Sequence, residues 1–457
     1  MNRCSPEFIS SAAAIVGESF LELNPRALRS GSRDCFHFSP VLTPLLDDCQ
    51  AEAIAYPATE AELRALLALS VEHSVPVTPR GGGTGNYGQG VPLQGGLMIN
   101  TRRFNRIISL DADAARVEAG VNLWTIEQQA AEHGAELRMF PSTIGTSSAA
   151  GFITGGSGGI GSITWGMLRD LDNVRQVSIL TCEAEPRRIE LRGPEQLRDV
   201  LHNCGLTAFV TEVTFALAPR QDWHQYIFAC EDFDTAMRAG ASVAADSSIS
   251  KRLVSAFEWP IPAYFKPLVK RDACPEGKSL VFLISSLAPE AASAYMEELG
   301  GSLTFHQPPP EGPLKGKGFQ IYDFTWNHTT QWAMKYDPGL TYLQEGFDLQ
   351  RIHEQVTQRR EVFGDQVQTH IEFVGDPVSG DIRAAGLSVV RFQGNQQLQD
   401  LIDYCEANGI GIANPHTHFL DEDTRWYNNG MLAAKDRWDP QHLLNPGHLH
   451  ALEQAGG

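Results

Sequence analysis

An α+β fold of two domains is what this sequence predicts, on three observations. The chain has 457 residues, more than one hydrophobic core usually serves. Between residues 58 and 219, segments of helical periodicity alternate with short strand-like runs around two glycine-rich stretches. From about residue 220 the texture changes to aromatics, prolines and mixed segments, which reads as a second domain over 220–405, followed by a tail over 406–457.

Composition narrows the class. Hydrophobic residues make up 42% and charged residues 20%, an ordinary balance for a soluble globular protein. The formal net charge of −19 opposes nucleic acid as the main partner, because phosphate binding needs clustered Lys and Arg. It equally opposes an anionic membrane surface. No apolar run approaches the ~18 residues of a transmembrane helix. The N-terminus has no signal-peptide core, since Glu18 breaks its weak apolar stretch. The eight cysteines are scattered without a C-x-x-C and read as free thiols of a reducing compartment, so a cytoplasmic location is expected.

The elements follow in order. "ATEAELRALLALSVEHS" (58–74) has helical spacing, with Thr59 and Glu62 as a capping box, and "VPVTP" (75–79) reads as a short strand. "GLMINTRRFNRIISLDADAARVEAGV" reads as strands broken by turns. "NLWTIEQQAAEHG" (122–134) is a helix with a glycine stop. "VRQVSILT" and "LTAFVTEVTFALAP" are strands, the second closed by Pro219.

The glycine runs invite three motif readings, and context removes each. Gly83-Thr84-Gly85-Asn86-Tyr87-Gly88 is a literal G-x-G-x-x-G, but the dinucleotide version needs a helix directly after it. Here "QGVPLQGG" follows, and Pro92 with three more glycines forbids one. Gly155-Gly156-Ser157-Gly158-Gly159 is a literal G-x-S-x-G, yet "AAGFIT" is a poor strand before it and "IGSITWG" no helix after it. "CPEGKS" fails as a phosphate loop because Asp272 stands where its first glycine belongs. What survives is a pair of glycine-rich loops whose backbone N–H groups form an anion-binding nest. Two such loops suit a long ligand held at two places, such as a dinucleotide.

At these residues the chain resembles the flavin oxidoreductases of the vanillyl-alcohol oxidase, or PCMH-type FAD-binding, superfamily, nearest to its glycolate oxidase and D-lactate dehydrogenase-like members. "YPATEAELRALLALSVEHSVPVTPRGGGTGNYGQ" (56–89) is similar to the first FAD segment with its pyrophosphate loop. "FPSTIGTSSAAGFITGGSGGIGSITWG" (140–166) is similar to the second segment, along the ribityl chain and flavin. "GLTAFVTEVTFALAP" (205–219) and "WDPQHLLNPGHL" (438–449) are similar to the closing strand and the C-terminal element, with His448 replacing the usual Lys. The resemblance implies an α+β fold: a two-subdomain PCMH-type FAD-binding domain (1–219), an inserted α+β substrate cap (220–405), and a C-terminal segment (406–457) returning to the FAD site. It also implies site residues. Arg80, Gly81, Gly82, Gly83, Thr84, Gly85 and Asn86 would wrap the pyrophosphate. Pro141, Ser142, Gly145, Ser148, Gly151, Thr154 and Gly158 would line the FAD groove, with Val210 and Asn445 also at the cofactor.

Departures from the family are informative. Relatives with covalent FAD carry a His in the first loop or a Cys in the second segment. Here the first offers Gly83, Thr84 and Gly85 and the second no Cys, so non-covalent FAD is expected. The family's metal motif is missing, and "NPHTH" (414–418) stands where a Glu-His-Gly turn would be. His416 and His418 could share a face of an extended strand, but a third ligand of clear spacing is lacking, so no metal is expected. A flavin enzyme acting on an alcohol needs a group to take the hydroxyl proton, and histidine suits the step. The candidates are His416, which matches the family's histidine, then His328 and His370. Lys335 and Arg391 could hold a substrate carboxylate, and Tyr342 could form part of the substrate wall. The expected function is oxidation of a hydroxyl on a small organic molecule, a 2-hydroxy acid first, with an acceptor the sequence leaves open. A polyol, sugar-lactone or aromatic-alcohol oxidase is the alternative, as is a flavin-binding redox partner or scaffold without its own substrate.

Overall fold

The computed structural model describes residues 2–311, 316–422 and 429–453. Their strands form four sheets, two before residue 220 and two after it. The first sheet holds Ala53–Ala55, Leu97–Asn100 and Val77–Arg80 in parallel, edged by antiparallel Leu21–Glu22. Parallel pairing needs a crossover, and helix Glu60–His73 provides it. The helix buries Leu63, Leu66 and Leu67 against Ala55, Val77 and Ile99 of the sheet, each leucine contributing ~1.5–3 kcal/mol. Thr59 caps it by accepting the Glu62 N–H at 3.2 Å. The Glu62 carboxylate reaches back one residue further than a capping box, to the Ala58 N–H at 2.7 Å. The strand predicted over 75–79 is Val77–Arg80, and it aims the first glycine run off the end of the sheet.

The second sheet is antiparallel. Phe209–Pro219 lies at its centre, between Ala114–Glu118 and Val174–Leu180, and its far end pairs Ala135–Leu137. Helix Leu123–Glu132 begins at Asn122, whose side chain accepts the Trp124 N–H, and stops at Gly134, φ +69°.

The second glycine stretch differs from its sequence reading. Ala149–Gly155 is a helix, N-capped by the Ser148 hydroxyl on Gly151 N–H, and Ser162–Trp165 is one helical turn. "AAGFIT" reads as a poor strand and "IGSITWG" as no helix, but Ala149, Phe152 and Ile153 are buried in the core, and that packing outweighs ~1 kcal/mol of propensity per glycine.

The cap is an eight-stranded antiparallel sheet in the order Gly301–Gln307, His224–Cys230, Ser279–Ser285, Lys251–Phe257, His370–Gly375, Ile382–Gly386, Gln344–Phe347, Gly411–Ala413. A small sheet joins Leu340–Tyr342, Val389–Arg391 and Val367–Gln368. Because Gly411–Ala413 closes the large sheet, the cap runs past the boundary expected at residue 405. The tail does return to the first domain. Val77 N–H donates to Leu443 O at 2.8 Å, and the buried Lys435 ammonium holds Leu206 O, Leu444 O and Asp439 within 2.9 Å.

Candidate functional site

Strand Val77–Arg80 delivers residues 81–86 as an open loop, and close packing explains its glycines. A Cβ on Gly81 would strike the Ser148 hydroxyl, and one on Gly82 the Thr146 carbonyl. Gly83 has φ +68° with the Arg80 guanidinium against it. The loop therefore lies directly on the N-terminus of helix Ala149–Gly155. Among the described residues, the N–H groups of Gly81 to Asn86 donate to no protein acceptor. A row of unspent backbone donors beside a helix start suits an anion. The Asn86 Nδ2 is buried there without a partner.

Two hollows meet at this loop. A groove of about 80 Å³ is lined by residues 80–85, Ser148, Gly151 and Thr154. It adjoins a cavity of about 590 Å³, since Thr84, Gly85, Ser147, Gly151 and Gly155 line both. The cavity's floor includes Asn86, Pro141, Ser142 and Gly158, and its roof is the cap sheet at 344–347 and 383–387. Most of the expected cofactor residues are thus brought together. Gly145 and Val210 are not on either lining. Gly145 accepts from Asn122, and Val210 is core, paired with Ile179 beside a bulge. Asn445 acts from behind. Its Nδ2 donates to Gln89 O and Cys204 O, both at 2.7 Å, and both of those residues line the groove. Arg80 lines the groove too, but its guanidinium is spent on Gly90 O and Arg33 O. It ties the loop down.

The proton-transfer and substrate candidates fare differently. His416 is not on the cavity lining. Its Nδ1 meets the Ser39 hydroxyl at 2.8 Å and its Nε2–H donates to Tyr342 O at 2.9 Å. Burial pulls its pKa down to about 4, partly offset by the Tyr342 carbonyl. It pins the tail to the N-terminal segment and the cap. His370 is buried, stacked on Phe257 and bonded to Glu372 at 2.8 Å. His328 is drawn to about 4 by burial and by Lys317 and Lys335, and it too is off the lining. Lys335 is exposed over the Trp332 ring, Arg391 pairs with Asp337 at 2.9 Å, and the fully buried Tyr342 packs against Phe38 and His416. None of the three reaches the cavity. Among the described residues no three His, Cys, Asp or Glu side chains gather as metal ligands. Ser157 lines the cavity but follows a helix, the reverse of the strand-before-nucleophile order.

What the sequence reading missed lies elsewhere. The groove also contains Asp34, whose pKa burial raises to about 6, against the pull of Arg80 and the N–H groups of Phe36 and Gly90. The cavity contains Met167, Arg169, His202, Trp326, Asn327 and Gln344. Of these, Trp326, Asn327 and Gln344 fall in "FTWNHTTQWAMKYDPGLTYLQ" (324–344), a stretch crowded with aromatic and polar side chains. A side chain's arrival from a distant strand leaves no local mark.

The comparisons agree with this geometry. The family described as "FAD binding domain" matches residues 51–190. An uncharacterised FAD-linked oxidoreductase of Mycobacterium tuberculosis is 32% identical over 42% of this chain and 43% of its own length. A glycolate oxidase subunit of Bacillus subtilis is 26% identical over 44% of each chain. These matches span less than half the length of the relatives. The solved structure of alkyldihydroxyacetonephosphate synthase superposes over 97% of this chain and 85% of its own, with TM-score 0.72 at 16% identity. The protein is thus a flavoprotein with the PCMH-type, vanillyl-alcohol oxidase fold. It carries an FAD-binding domain over residues 51–190, and FAD is its cofactor.

Proposed function

We propose that this protein oxidises a hydroxyl group of a small organic substrate, a 2-hydroxy acid first, in the cavity between the FAD-binding domain and the cap. The observation that carries the reading is that cavity. It is roomy enough for a small molecule, floored by the residues expected along the cofactor, and roofed by the cap sheet. The glycolate oxidase relative points to the same substrate class. When bound, FAD supplies the acceptor for the hydride of the carbinol C–H bond.

The chain's own residues do the rest. The N–H groups of 81–86 and the Ser148 turn would hold the pyrophosphate, and neither glycine run offers a His or Cys for a covalent link. As the carbonyl forms, the hydroxyl proton must pass to a side chain. His202 contributes the imidazole on the described cavity lining, and we assign it that proton. The cap sheet excludes water from the reacting carbon. Arg169 and Arg383 also line the cavity, Arg383 paired with Asp376.

The test is anaerobic mixing with 2-hydroxy acids, polyols, sugar lactones and aromatic alcohols while the flavin absorbance is followed. Bleaching by a 2-hydroxy acid supports the reading, and bleaching by another class moves the substrate. A flavin that dithionite reduces but no hydroxyl compound does would leave a redox partner without its own substrate.

A further inference from the structure

We infer that Gly346 sets the size of substrate this cavity admits, and that the substrate's carbinol carbon carries a substituent bulkier than a methyl group; the inference rests on the hydroxyl-oxidising reading above. Gly346 lies in strand Gln344–Phe347 of the cavity roof. Side chains alternate across a strand, and the contacts of its neighbours show which way each faces. Gln344 donates from its Nε2 to the hydroxyl of Tyr87, at the end of the first glycine loop. Glu345 pairs instead with Arg359, and Phe347 joins the core of the cap. Gly346 therefore shares the face of Gln344, which looks toward the FAD-binding domain across the cavity. The register places Ala385 beside it on one strand and Gly411 on the other. Gly346 is exposed, and Ala385 and Gly411 are half-buried, so this part of the roof has surface for a ligand to meet.

A glycine inside a strand weakens it, and its usual reasons are a bulge, a tight bend, or the close approach of another backbone or a ligand. The register runs unbroken through Gly346 on both sides, and its φ lies outside the left-handed region. No backbone crowds it either. A Cβ at this position would have the Gly411 carbonyl oxygen, at 3.9 Å, as its nearest neighbour among the described residues. Gly386, on the adjoining strand Ile382–Gly386, is a glycine of the other kind, since its Cβ would strike the Phe347 ring at 2.6 Å. The fold thus tolerates a side chain at 346, and what its absence leaves is room for a ligand. With a methyl group at Ala385 and no side chain at Gly411, that room extends over the neighbouring strands. Its surface is C–H and methyl, which favours an apolar substituent. Glycolate has nothing to place there, whereas a branched or aromatic side arm of a 2-hydroxy acid does. Gly346 is a specificity-determining position and takes no part in proton or hydride transfer.

The experiment titrates FAD-loaded wild type, Gly346→Ala and Gly346→Leu with glycolate and phenyllactate, and with acetate and phenylpropionate, which lack the hydroxyl. It records the perturbation of the oxidised flavin spectrum and, anaerobically, its reduction. FAD content and the urea midpoint check the fold, and Gly346→Ala should unfold at the wild-type midpoint or above it, because alanine has less freedom to lose than glycine. Wild type should saturate with phenyllactate at a lower concentration than with glycolate. In Gly346→Leu the half-saturating concentration of phenyllactate should rise about tenfold or more, that of glycolate far less, with Gly346→Ala between the two proteins. Phenyllactate that saturates Gly346→Leu as it does wild type overturns the inference and leaves the oxidase reading intact. So does a wild type that prefers glycolate, or a leucine variant that loses both acids equally. The expected discrimination by size among all four acids, with no reduction in any protein, supports the role of Gly346 and removes the oxidase reading. Absence of both perturbation and reduction in the wild type overturns both.

Discussion

Two residues show how chemistry and position separate in this protein. His416 had the residue type and the family position for catalysis, but both its nitrogens are engaged away from the cavity. His202 had no motif around it, yet lines the cavity from a left-handed backbone position, φ +53°. We expect His202→Ala to slow flavin reduction by ~10²–10⁴-fold with FAD retained. His416→Ala should reduce at the wild-type rate per bound flavin and melt at a lower temperature; stopped-flow and thermal unfolding read the two effects separately. Asp34 makes a second prediction. Asp34 lines, together with Arg80, the groove we propose for the pyrophosphate. Its folded pKa of about 6 lies above the ordinary value, so the neutral form dominates below pH 6 and the charged form above it. Two like charges in one groove repel. FAD affinity should therefore fall as pH rises through about 6, and Asp34→Asn should flatten that profile in a fluorescence titration of the apoprotein. Equal pH dependence in both proteins would count against Asp34.

At the scale of elements, much was legible because local signals were strong. Thr59 is a cap, Gly134 is a stop, and Pro219 closes its strand, as the sequence indicated. The helix Ala149–Gly155 was not legible, because tertiary burial of Phe152 and Ile153 decides it against glycine's propensity. The end of the cap was missed for a related reason. Gly411–Ala413 is three residues long, and only its pairing with Gln344–Phe347 assigns it to the cap. Likewise the glycine loop was readable as an anion site, whereas the cavity roof, assembled from the separate strands Gln344–Phe347 and Ile382–Gly386, was not. One element-level pair is open to test. Glu345, on a strand lining the cavity, is buried with Arg359 of helix Ile352–Phe363, and Ser388 donates to the same carboxylate. Removing one partner of a buried pair typically costs ~3–5 kcal/mol. Arg359→Met should lose about that much in urea denaturation, and the double variant Glu345→Gln/Arg359→Met should recover part of it.

Across the whole molecule, burial sets the acid limit of stability. His328, His416 and His448 are each drawn down to about 4, first by desolvation. Unfolding restores their ordinary value near 6.5, so between pH 6.5 and 4 the unfolded chain binds more protons than the folded one. Stability from these groups is present above pH 6.5 and lost as pH falls, by up to about 1.4 kcal/mol per pH unit for each. Asp34 works in the opposite sense, losing stability as pH rises toward 6, and Glu136, Asp199 and Asp323, also raised by burial, act with it, while His37 and His306, lowered by burial, act with the three histidines. Urea midpoints taken at pH 7, 6 and 5 should fall steadily, and His416→Gln should reduce the slope. We propose hydride transfer to FAD from a hydroxyl-bearing carbon in the cavity beneath the cap. The most direct measurement is anaerobic stopped-flow reduction of the flavin by a bleaching substrate, protiated and deuterated at the carbinol carbon. We expect single-turnover bleaching that deuterium slows. Bleaching at the same rate with both isotopologues, or an oxidised spectrum unchanged by every hydroxyl compound, would contradict it.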